Sequence, residues 1–598
     1  MTNLHTETLN ELWDTNKEVY EILRNSDSVE TARKKLYDYL INLEKKIYYG
    51  EINVHPLERI NMKECIKVFK NILAPKNEEL SGFSALRLLW LLANEKFSEI
   101  DVEVSEGFIE EFKHLFKGII GNSGIYDGKE EPIFLKLRGR EAAIVRSDEL
   151  DKLAEYAKKF MDRYPSGLLE DVKKKREENK KRILEYFGGD EDDWNDWKWH
   201  LKHIIKDSKT LSDLVNLTEE EIKAIDLAVE NHIPFGVTPY YASLMDKDAS
   251  RKYDHAIRAQ VIPPLDYVEK MIEAKNNRKN LDFMGESDTS PIDLVTRRYP
   301  MIAIVKPYNT CAQICVYCQR NWEIKEVLAK DALAPKSKLE EAIDWFRNHE
   351  SIKEVLITGG DPFILNDKFL DKILSEFAEM KHIERIRFGT RIPVVLPQRV
   401  TDDLAEILEQ YHEPGRREIV VSTHVEHVYE VTEDLMNAVQ KIRKKGICVY
   451  NQEVFTTENS RRFETVALRR LLRLIGIEPY YTFNTKGKEE TRKYRVPIAR
   501  LLQEQKEEAR LTPGVERTDK PIFNVPRLGK VNLNAWQDHE VIMIMPNGSR
   551  VYEFHPWEKN ISLANTYIYT DVPIYDYLKE LERRGENLED YKTIWYYF

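Results

Sequence analysis

Three of the five cysteines in this 598-residue chain lie within eight positions, as Cys311, Cys315 and Cys318. The C-x3-C-x2-C spacing places three thiolates in one loop, and thiolates are the ligands that soft metals prefer. A cubane iron–sulfur cluster takes one thiolate per iron, so three cysteines would leave one iron open to an external ligand. A zinc site normally adds a fourth cysteine or a histidine, and no histidine lies nearby. The spacing therefore favours an iron–sulfur cluster over zinc.

The composition is that of a globular protein. Hydrophobic residues make up 42% and charged residues 32% of the chain, which is enough apolar material for substantial cores. The net charge of −12 argues against nucleic acid and anionic membranes as partners, because both call for a basic face. The most apolar run, "LRLLWLLA" at 86–93, is too short to cross a bilayer. The polar, acidic start lacks the layout of a signal peptide, so we expect a cytoplasmic protein without a membrane partner.

From Met301 onward the sequence alternates between β-rich and helical runs. This pattern predicts the elements that position the cysteines. Six short β-rich runs, from "MIAIVKPY" at 301–308 to "EPYYTFNT" at 478–485, alternate with five amphipathic helical segments. Short connections between such elements predict a parallel sheet, closed into a barrel or partial barrel. Catalytic groups in these folds collect at the carboxyl ends of the strands. The cysteines directly follow the first strand, where catalytic groups are expected.

The rest of the chain divides by composition. Its first part shows helical periodicity and no pattern with evident chemistry, and it ends at Gly188 and Gly189, which favour a helix C-cap. We expect a helical N-terminal extension of unknown function over 1–189, a helical region leading into the barrel over 190–300, the barrel over 301–486, and a C-terminal region with a β-hairpin over 487–598.

The cysteine motif resembles that of the radical S-adenosylmethionine (radical SAM) enzymes, in which the amino and carboxylate groups of SAM chelate the open iron. Further segments resemble the lysine 2,3-aminomutase family and follow the family's order from about residue 190 to the C-terminus. The resemblance implies an α/β fold with a radical SAM partial (β/α)6 barrel, a helical N-terminal extension and a small C-terminal β-containing segment. The matching segments are "DWNDWKWHLKHII" (193–205), "IPFGVTPYYASLMD" (233–246), "RRYP" (297–300), "TGGDP" (358–362), "TRIPVVLPQR" (390–399), "STHVEH" (422–427) and "NQEVF" (451–455).

The resemblance implies three cofactors: a 4Fe-4S cluster, SAM (S-adenosyl-L-methionine) and pyridoxal 5'-phosphate (PLP). In this family the lysine that holds PLP lies in a glycine-rich loop after the barrel, and Lys530 in "FNVPRLGKVN" occupies that place. The loop departs from the family pattern, because Arg527 and Leu528 replace glycines. Ile302 also replaces an arginine that lies near the PLP phosphate in the lysine enzyme. Without the family, Lys530 would be interpreted as an exposed lysine.

The resemblance also assigns residues to SAM, PLP and the substrate. Gly359, Gly360 and Asp361 follow the second strand, where glycines would let the backbone approach SAM; on their own they would indicate a tight turn. Arg320 matches the arginine that binds the substrate α-carboxylate, a group that suits the fork of a guanidinium. The other matches to residues that face the cofactors are Arg298, Tyr299, His424 and Gln452.

Two positions predict which amino acid is the substrate. The lysine enzyme holds the distant ammonium of its substrate with two aspartates, and this chain has Lys486 and Asn524 at those positions. A lysine there would repel a cationic substrate but would suit a side-chain carboxylate. The same pair is found in the glutamate 2,3-aminomutase members of the family. The resemblance therefore implies interconversion of L-glutamate and β-glutamate by a 5'-deoxyadenosyl radical, with glutamine as a neutral competitor.

Three alternatives stay open at this point. An aminomutase for another amino acid would keep every cofactor, a PLP-independent radical SAM enzyme would not use Lys530, and a degenerate barrel would act as a binding module. The expected partners are a small-molecule amino acid substrate and an electron donor such as flavodoxin or ferredoxin, with no nucleic acid and no membrane. We also expect a homo-oligomer without a structural zinc site, because no cysteine follows Cys448.

Overall fold

The computed structural model describes residues 6–277, 280–324, 326–485, 487–535, 538–555 and 564–598. The chain forms two compact units. The first combines residues up to 155 with 496–507 and 531–598, and the second combines 156–495 with 508–530. Across the described ranges, no helix has both the length and the apolar character needed to cross a bilayer. The functional boundaries at 189, 300 and 486 stay predictions.

Helices make up most of the N-terminal part of the chain and recur between the strands that follow. Ser28, Ser84 and Ser105 each cap a helix by accepting a hydrogen bond from the backbone N–H three residues on, which satisfies a donor that a helix start leaves free. The helices are α1 Thr6–Thr15, α2 Lys17–Arg24, α3 Val29–Tyr49, α4 Pro56–Leu73, α5 Pro75–Ser81, α6 Ala85–Ala93, α7 Glu106–Ile119, α8 Gly139–Met161, α9 Glu170–Phe187, α10 Glu191–Asn195, α11 Trp197–Lys202, α12 Ser208–Leu214, α13 Glu219–Glu230, α14 Pro239–Ser243, α15 His255–Val261, α16 Leu265–Asn276, α17 Lys336–Arg347, α18 Asp367–Ala378, α19 Ile392–Val395, α20 Asp402–Gln410, α21 Glu433–Lys444, α22 Glu464–Ile475, α23 Ile498–Gln503 and α24 Ile574–Arg583.

A nine-stranded sheet forms the centre of the second unit. Its strands lie in chain order: β1 Val295–Thr296, β2 Ile302–Tyr308, β3 Glu354–Gly359, β4 Arg385–Gly389, β5 Glu418–Thr423, β6 Cys448–Phe455, β7 Glu478–Asn484, β8 Lys520–Val525 and β9 Gly529–Asn532. Strands β2 to β8 are parallel, and β1 pairs antiparallel with β2. The six predicted strands are present as β2 to β7. The predicted α/β fold with a partial (β/α)6 barrel is therefore confirmed.

Helices α17, α18, α20, α21 and α22 connect successive parallel strands. In α17 the apolar residues Leu339, Ile343 and Phe346 are buried, in a core that they share with strand residues such as Val355 and Ile357. Burial of each such side chain contributes about 1.5–3 kcal/mol relative to exposure. This packing holds the carboxyl ends of the parallel strands together at one edge of the sheet.

The segment 523–532 differs from the predicted glycine-rich loop. It forms the end of β8, a short turn and β9, because Phe523 and Val525 are apolar and are buried within a strand. In the turn, Arg527 takes a left-handed φ of 64°, a conformation in which glycine would be unstrained. The N–H of Arg527 donates to the carbonyl of Met284 at 2.9 Å. The lysine that was predicted to hold PLP therefore lies on a strand.

The sheet curls so that β9 approaches the segment that precedes β2. The Nζ atom of Lys530 lies 3.3 Å from the Oη atom of Tyr299. Gly529 permits this approach, since its φ is +106° and a Cβ atom there would lie 2.7 Å from the same Oη atom. The curvature brings the last strand of the sheet close to the first parallel strand.

The first unit contains α1 to α7 and a three-stranded antiparallel sheet, β10 His539–Ile544, β11 Arg550–Phe554 and β12 Tyr567–Thr570. Arg550 and Glu111 form a buried ion pair at 3.0 Å. Arg550 also donates to the carbonyls of Trp595 and Tyr597. Strands β10 and β11 pair antiparallel, in agreement with the small C-terminal β-containing segment that the resemblance implied.

Candidate active site

The three predicted cluster cysteines line one pocket at the carboxyl end of β2, together with residues that include Gln313 and Asn321. Two backbone hydrogen bonds fix the loop that carries them. The N–H of Ile314 donates to the carbonyl of Gly236 at 3.0 Å, and the N–H of Val316 donates to the carbonyl of Gln260 at 2.8 Å. The segment around 233–246 and helix α15 therefore support the cysteine loop.

The donor set of this pocket fits a cluster bound through three irons. The residues that line the pocket include neither a histidine nor a fourth cysteine, which leaves the four-ligand shell of a structural zinc site incomplete. Burial raises the pKa of the Cys311 and Cys315 thiols. Such thiols lose their protons when a bound metal supplies positive charge. Cys311, Cys315 and Cys318 are thus placed to act as a set of ligands.

The glycines after β3 lie directly against the cysteine loop. A Cβ atom at Gly360 would lie 1.9 Å from the carbonyl oxygen of Thr310, the residue before Cys311. Gly359 has a φ of +116°, which also favours glycine. Both glycines therefore allow the end of β3 to lie next to the cysteine loop.

The Asp361 carboxylate is engaged by groups of the protein itself. It accepts hydrogen bonds from the Thr390 hydroxyl at 2.6 Å and from the backbone N–H groups of Phe363, Arg391 and Ile392 at 3.1, 2.7 and 3.1 Å. Burial raises the pKa of Asp361 to about 6, although these hydrogen bonds oppose the shift. This carboxylate ties the end of β3 to the turn after β4.

Lys530 lies among aromatic rings on the inner face of the sheet. Its Nζ atom is 4.9, 5.7 and 6.0 Å from the ring centres of Tyr299, Tyr481 and Phe483. Burial, assisted by the positive charges of Arg387 and Arg298, lowers the pKa of Lys530 to about 7. A lysine with a lowered pKa has a neutral, nucleophilic amine near neutral pH, as capture of an aldehyde cofactor requires.

A buried carboxylate, Glu286, links the cysteine loop to the Lys530 region. It accepts hydrogen bonds from Arg320 at 2.5 Å and from Lys306 at 2.7 Å, and Arg298 lies 3.8 Å away. Burial alone would raise the pKa of Glu286, but these three cations outweigh it and lower that pKa. Glu323 also pairs with Arg320. Three cations therefore face the two carboxylates Glu286 and Glu323 at this point of the site.

The other predicted site residues are placed as follows. His424 is one residue past β5, and its carbonyl accepts a hydrogen bond from Arg391 at 3.1 Å. Gln452 lies on the partly buried row of β6, and Asn524 is buried on β8. Lys486 lies outside the described residues. The roles assigned to these four residues stay predictions.

Three residues of the site were not predicted from the sequence. Lys306 is a cation on a strand that otherwise reads "IAIVKPY", and this apolar context was an available signal. Arg391 lies in the segment "TRIPVVLPQR", which was noted without a role. Glu286 carried no local signal, because its contact with Arg320 spans 34 positions of the chain.

Comparison with known proteins agrees with this arrangement. A family model described as the radical SAM superfamily matches residues 305–468. The chain is 50% identical to an uncharacterized KamA family protein of Methanocaldococcus jannaschii, over 97% of this chain and 96% of that protein. It is 34% identical to glutamate 2,3-aminomutase of Clostridioides difficile, over 55% of this chain and 74% of that protein.

A second named relative has a different substrate in its name. L-lysine 2,3-aminomutase of Methanococcus maripaludis is also 34% identical, over 52% of this chain and 69% of that protein. Extensive identity to the KamA protein, together with the matches to both aminomutases, is consistent with the cysteine motif and the barrel. The chain belongs to the KamA family, the lysine 2,3-aminomutase family of radical SAM proteins.

Proposed function

We propose that this protein is an amino acid 2,3-aminomutase that interconverts L-glutamate and β-glutamate. The observation that carries the proposal is a line of charged groups between two candidate cofactor sites. The N–H of Arg320 donates to the sulfur of Cys318 at 3.3 Å, the Arg320 side chain contacts Glu286 at 2.5 Å, and Arg298 lies 3.8 Å from Glu286. The positive charge of Arg298 contributes to the lowered pKa of Lys530, of which burial is the main cause. An amine suited to PLP is thus linked through charge to the three-cysteine pocket, in keeping with a radical amino shift.

Membership of the radical SAM superfamily implies a 4Fe-4S cluster and SAM. We assign Cys311, Cys315 and Cys318 as the cluster ligands, and the backbone at Gly359 and Gly360 as a surface for SAM. When bound, the cluster and SAM supply a radical that removes and returns a hydrogen atom, and PLP supplies the conjugated ring on which the amino group migrates. The protein supplies binding, orientation and exclusion of water.

Two features of the chain support PLP at Lys530. The first is the lowered pKa of its amine. The second is Arg298, whose buried Nη2 atom has no hydrogen-bond partner in the part of the chain that the structure describes. A buried, unsatisfied guanidinium donor is costly unless an anion binds it, and the phosphate of PLP is such an anion. Tyr299, Tyr481 and Phe483 would exclude water around the amine.

The proposed substrate roles depend on charge. Arg320 would bind the α-carboxylate, and Lys486 with Asn524 would bind the side-chain carboxylate. A cation beside an amide at the last two positions suits a side-chain carboxylate better than a distant ammonium. Identity to relatives does not select the substrate, because the glutamate and lysine enzymes are equally identical to this chain.

The proposal is tested with anaerobically reconstituted protein that is supplied with SAM, PLP and dithionite, which replaces the proposed flavodoxin or ferredoxin. L-Glutamate, L-glutamine and L-lysine are compared by following the formation of the β-amino acids by NMR. We expect turnover of glutamate to exceed that of the other two. Efficient turnover of lysine would overturn the substrate assignment, and turnover without PLP would overturn the aminomutase mechanism.

A further inference from the structure

The turn after β4 places a guanidinium against the cysteine loop. The Nη1 atom of Arg391 lies 2.9 Å from the Sγ atom of Cys315. The backbone of the same residue donates to Asp361 at 2.7 Å, so the turn is anchored to the end of β3. Arg391 is therefore held on both its main chain and its side chain.

A buried carboxylate fixes the direction of this guanidinium. Glu430 is fully buried and pairs with Arg391. The same carboxylate accepts hydrogen bonds from the Tyr241 hydroxyl at 2.6 Å, from Gln260 at 2.8 Å and from the backbone N–H of Glu426 at 2.6 Å. With its own position fixed by these three donors, Glu430 orients Arg391 toward the sulfur.

The chemistry of this contact concerns electron transfer. Hydrogen bonds and positive charge near the sulfurs of an iron–sulfur cluster tune its reduction potential. The reduced cluster carries one more negative charge than the oxidised cluster, so a nearby cation stabilises the reduced form more. A buried charge acts strongly here because the surrounding medium has a low dielectric constant.

We propose that Arg391 is a positioning residue that raises the reduction potential of the cluster by donating to Cys315, and that Glu430 sets how strongly it does so. The inference rests on the proposed function, since it needs the cysteines to hold a cluster. Iron content separates a failure of the proposed function from a failure of this inference. Wild-type protein that binds no iron disproves the cluster assignment. An iron-loaded Arg391 variant with the wild-type potential disproves only the role of Arg391.

The experiment measures the midpoint potential of the reconstituted cluster by EPR-monitored titration, without SAM. R391M removes both charge and donors and should shift the potential to more negative values. R391K keeps the charge but loses the guanidinium geometry and should shift it less in the same direction. E430Q removes the negative charge that offsets Arg391 and should shift the potential to more positive values.

Arg399 offers a matched control. It is fully buried in the second unit, and it donates to the carbonyls of Phe363 and Leu365 and to Asp367. R399K should therefore leave the potential at the wild-type value. A shift in R399K as large as that in R391K would show a general packing effect and overturn the proposal.

The signs of the shifts decide the proposal. Opposite shifts in R391M and E430Q support it, because a merely structural role would not reverse sign with charge. Wild-type potential in iron-loaded R391M overturns it. If R391M binds no iron, R391K and E430Q decide, and equal potentials in these two variants overturn the proposal.

Discussion

The second unit contains two clusters of buried charged residues, one around Glu286 and one around Glu464. Both join a glutamate to basic side chains, but they differ in whether the hydrogen-bond donors are satisfied. Around Glu286, the Nη2 atom of Arg298 and the Nε atom of Arg320 are buried without a hydrogen-bond partner among the described residues. Around Glu464, His427 donates at 3.0 Å and Arg461 at 2.7 Å. The Glu286 cluster therefore has buried donors without hydrogen-bond partners in the described part of the chain, whereas the donors named around Glu464 are engaged.

The Glu464 cluster has a geometry that could hold a metal ion, since His255, His427 and Glu464 lie close together. Its hydrogen bonds give it another role. The backbone N–H of Tyr429 donates to Nδ1 of His427, and Arg461 lies 2.8 Å from Nε2 of His255. Lone pairs that a metal would need are already engaged. Of the two clusters, the one around Glu286 therefore has donors available to a ligand, although its residue types are less typical of a metal site.

The largest effect is expected for Lys530, on which the charge of Arg298 in the Glu286 cluster acts. K530A should abolish both turnover and the absorbance of bound PLP, because no amine remains to hold the cofactor. Iron content and melting temperature should match those of the wild type. Retention of the PLP absorbance in K530A would exclude this lysine as the attachment point.

A paired substitution tests the comparison itself. E286Q and E464Q each leave buried cations without their carboxylate, at a cost of about 3–5 kcal/mol in the free energy of unfolding. At a hundredfold excess over its dissociation constant, PLP should stabilise the wild type by about 2.7 kcal/mol. At the same concentration it should stabilise E286Q by more, because the freed cations bind its phosphate. Thermal unfolding with and without PLP measures this rescue.

The expected outcome for E464Q differs, since its cluster has no place for an anion. Its melting temperature should fall as in E286Q, but PLP should raise it only by the increment seen in the wild type, because the PLP site is unchanged. Equal rescue of the two variants would show that the clusters do not differ in the way described.

A third prediction concerns Arg320. R320M removes the cation proposed for the substrate α-carboxylate and should reduce kcat/KM by roughly 2–5 kcal/mol of transition-state stabilisation. R417M is a suitable control, because Arg417 is also buried in the second unit and donates to the carbonyls of Tyr411 and Ala378 and to Glu413. Steady-state kinetics with glutamate give the comparison. A smaller loss in R320M than in R417M would contradict the substrate role.

The smallest effect is expected in a pH profile. The pKa of Lys530 is lowered from 10.5 to about 7, so the folded chain binds fewer protons there than the unfolded chain between these values. The contribution of Lys530 to stability therefore rises with pH across that window. Covalent capture of pyridoxal, followed by absorbance, should accelerate as pH rises through about 7.

Arg298 sharpens this measurement. Pyridoxal lacks a phosphate, so R298M should act only through the loss of a positive charge. The charge of Arg298 lowers the pKa of Lys530, and its removal should raise that pKa. The midpoint of the profile should move to higher pH in R298M. A midpoint unchanged by R298M would show that this charge does not reach the amine.

The sequence predicted the elements that depend on local pattern. The strands β2 to β7 follow from apolar runs, and the cysteine loop follows from spacing. Strand β8 was missed because Pro526 and Gly529 suggest a loop, while the burial of Phe523 depends on the rest of the sheet. The pairing of Glu286 with Arg320 could not be predicted, because it arises only when the sheet curls and joins distant segments.

The close approach of Gly529 to Tyr299 has a consequence for classifying related sequences. A single added methyl group at position 529 would meet the tyrosine ring and push the strand outward, together with the amine that follows it. A relative that keeps the lysine but replaces this glycine would therefore hold its amine elsewhere. Surveys that assign a PLP enzyme from the lysine alone will include proteins that cannot place it, and the glycine before it is the more selective marker.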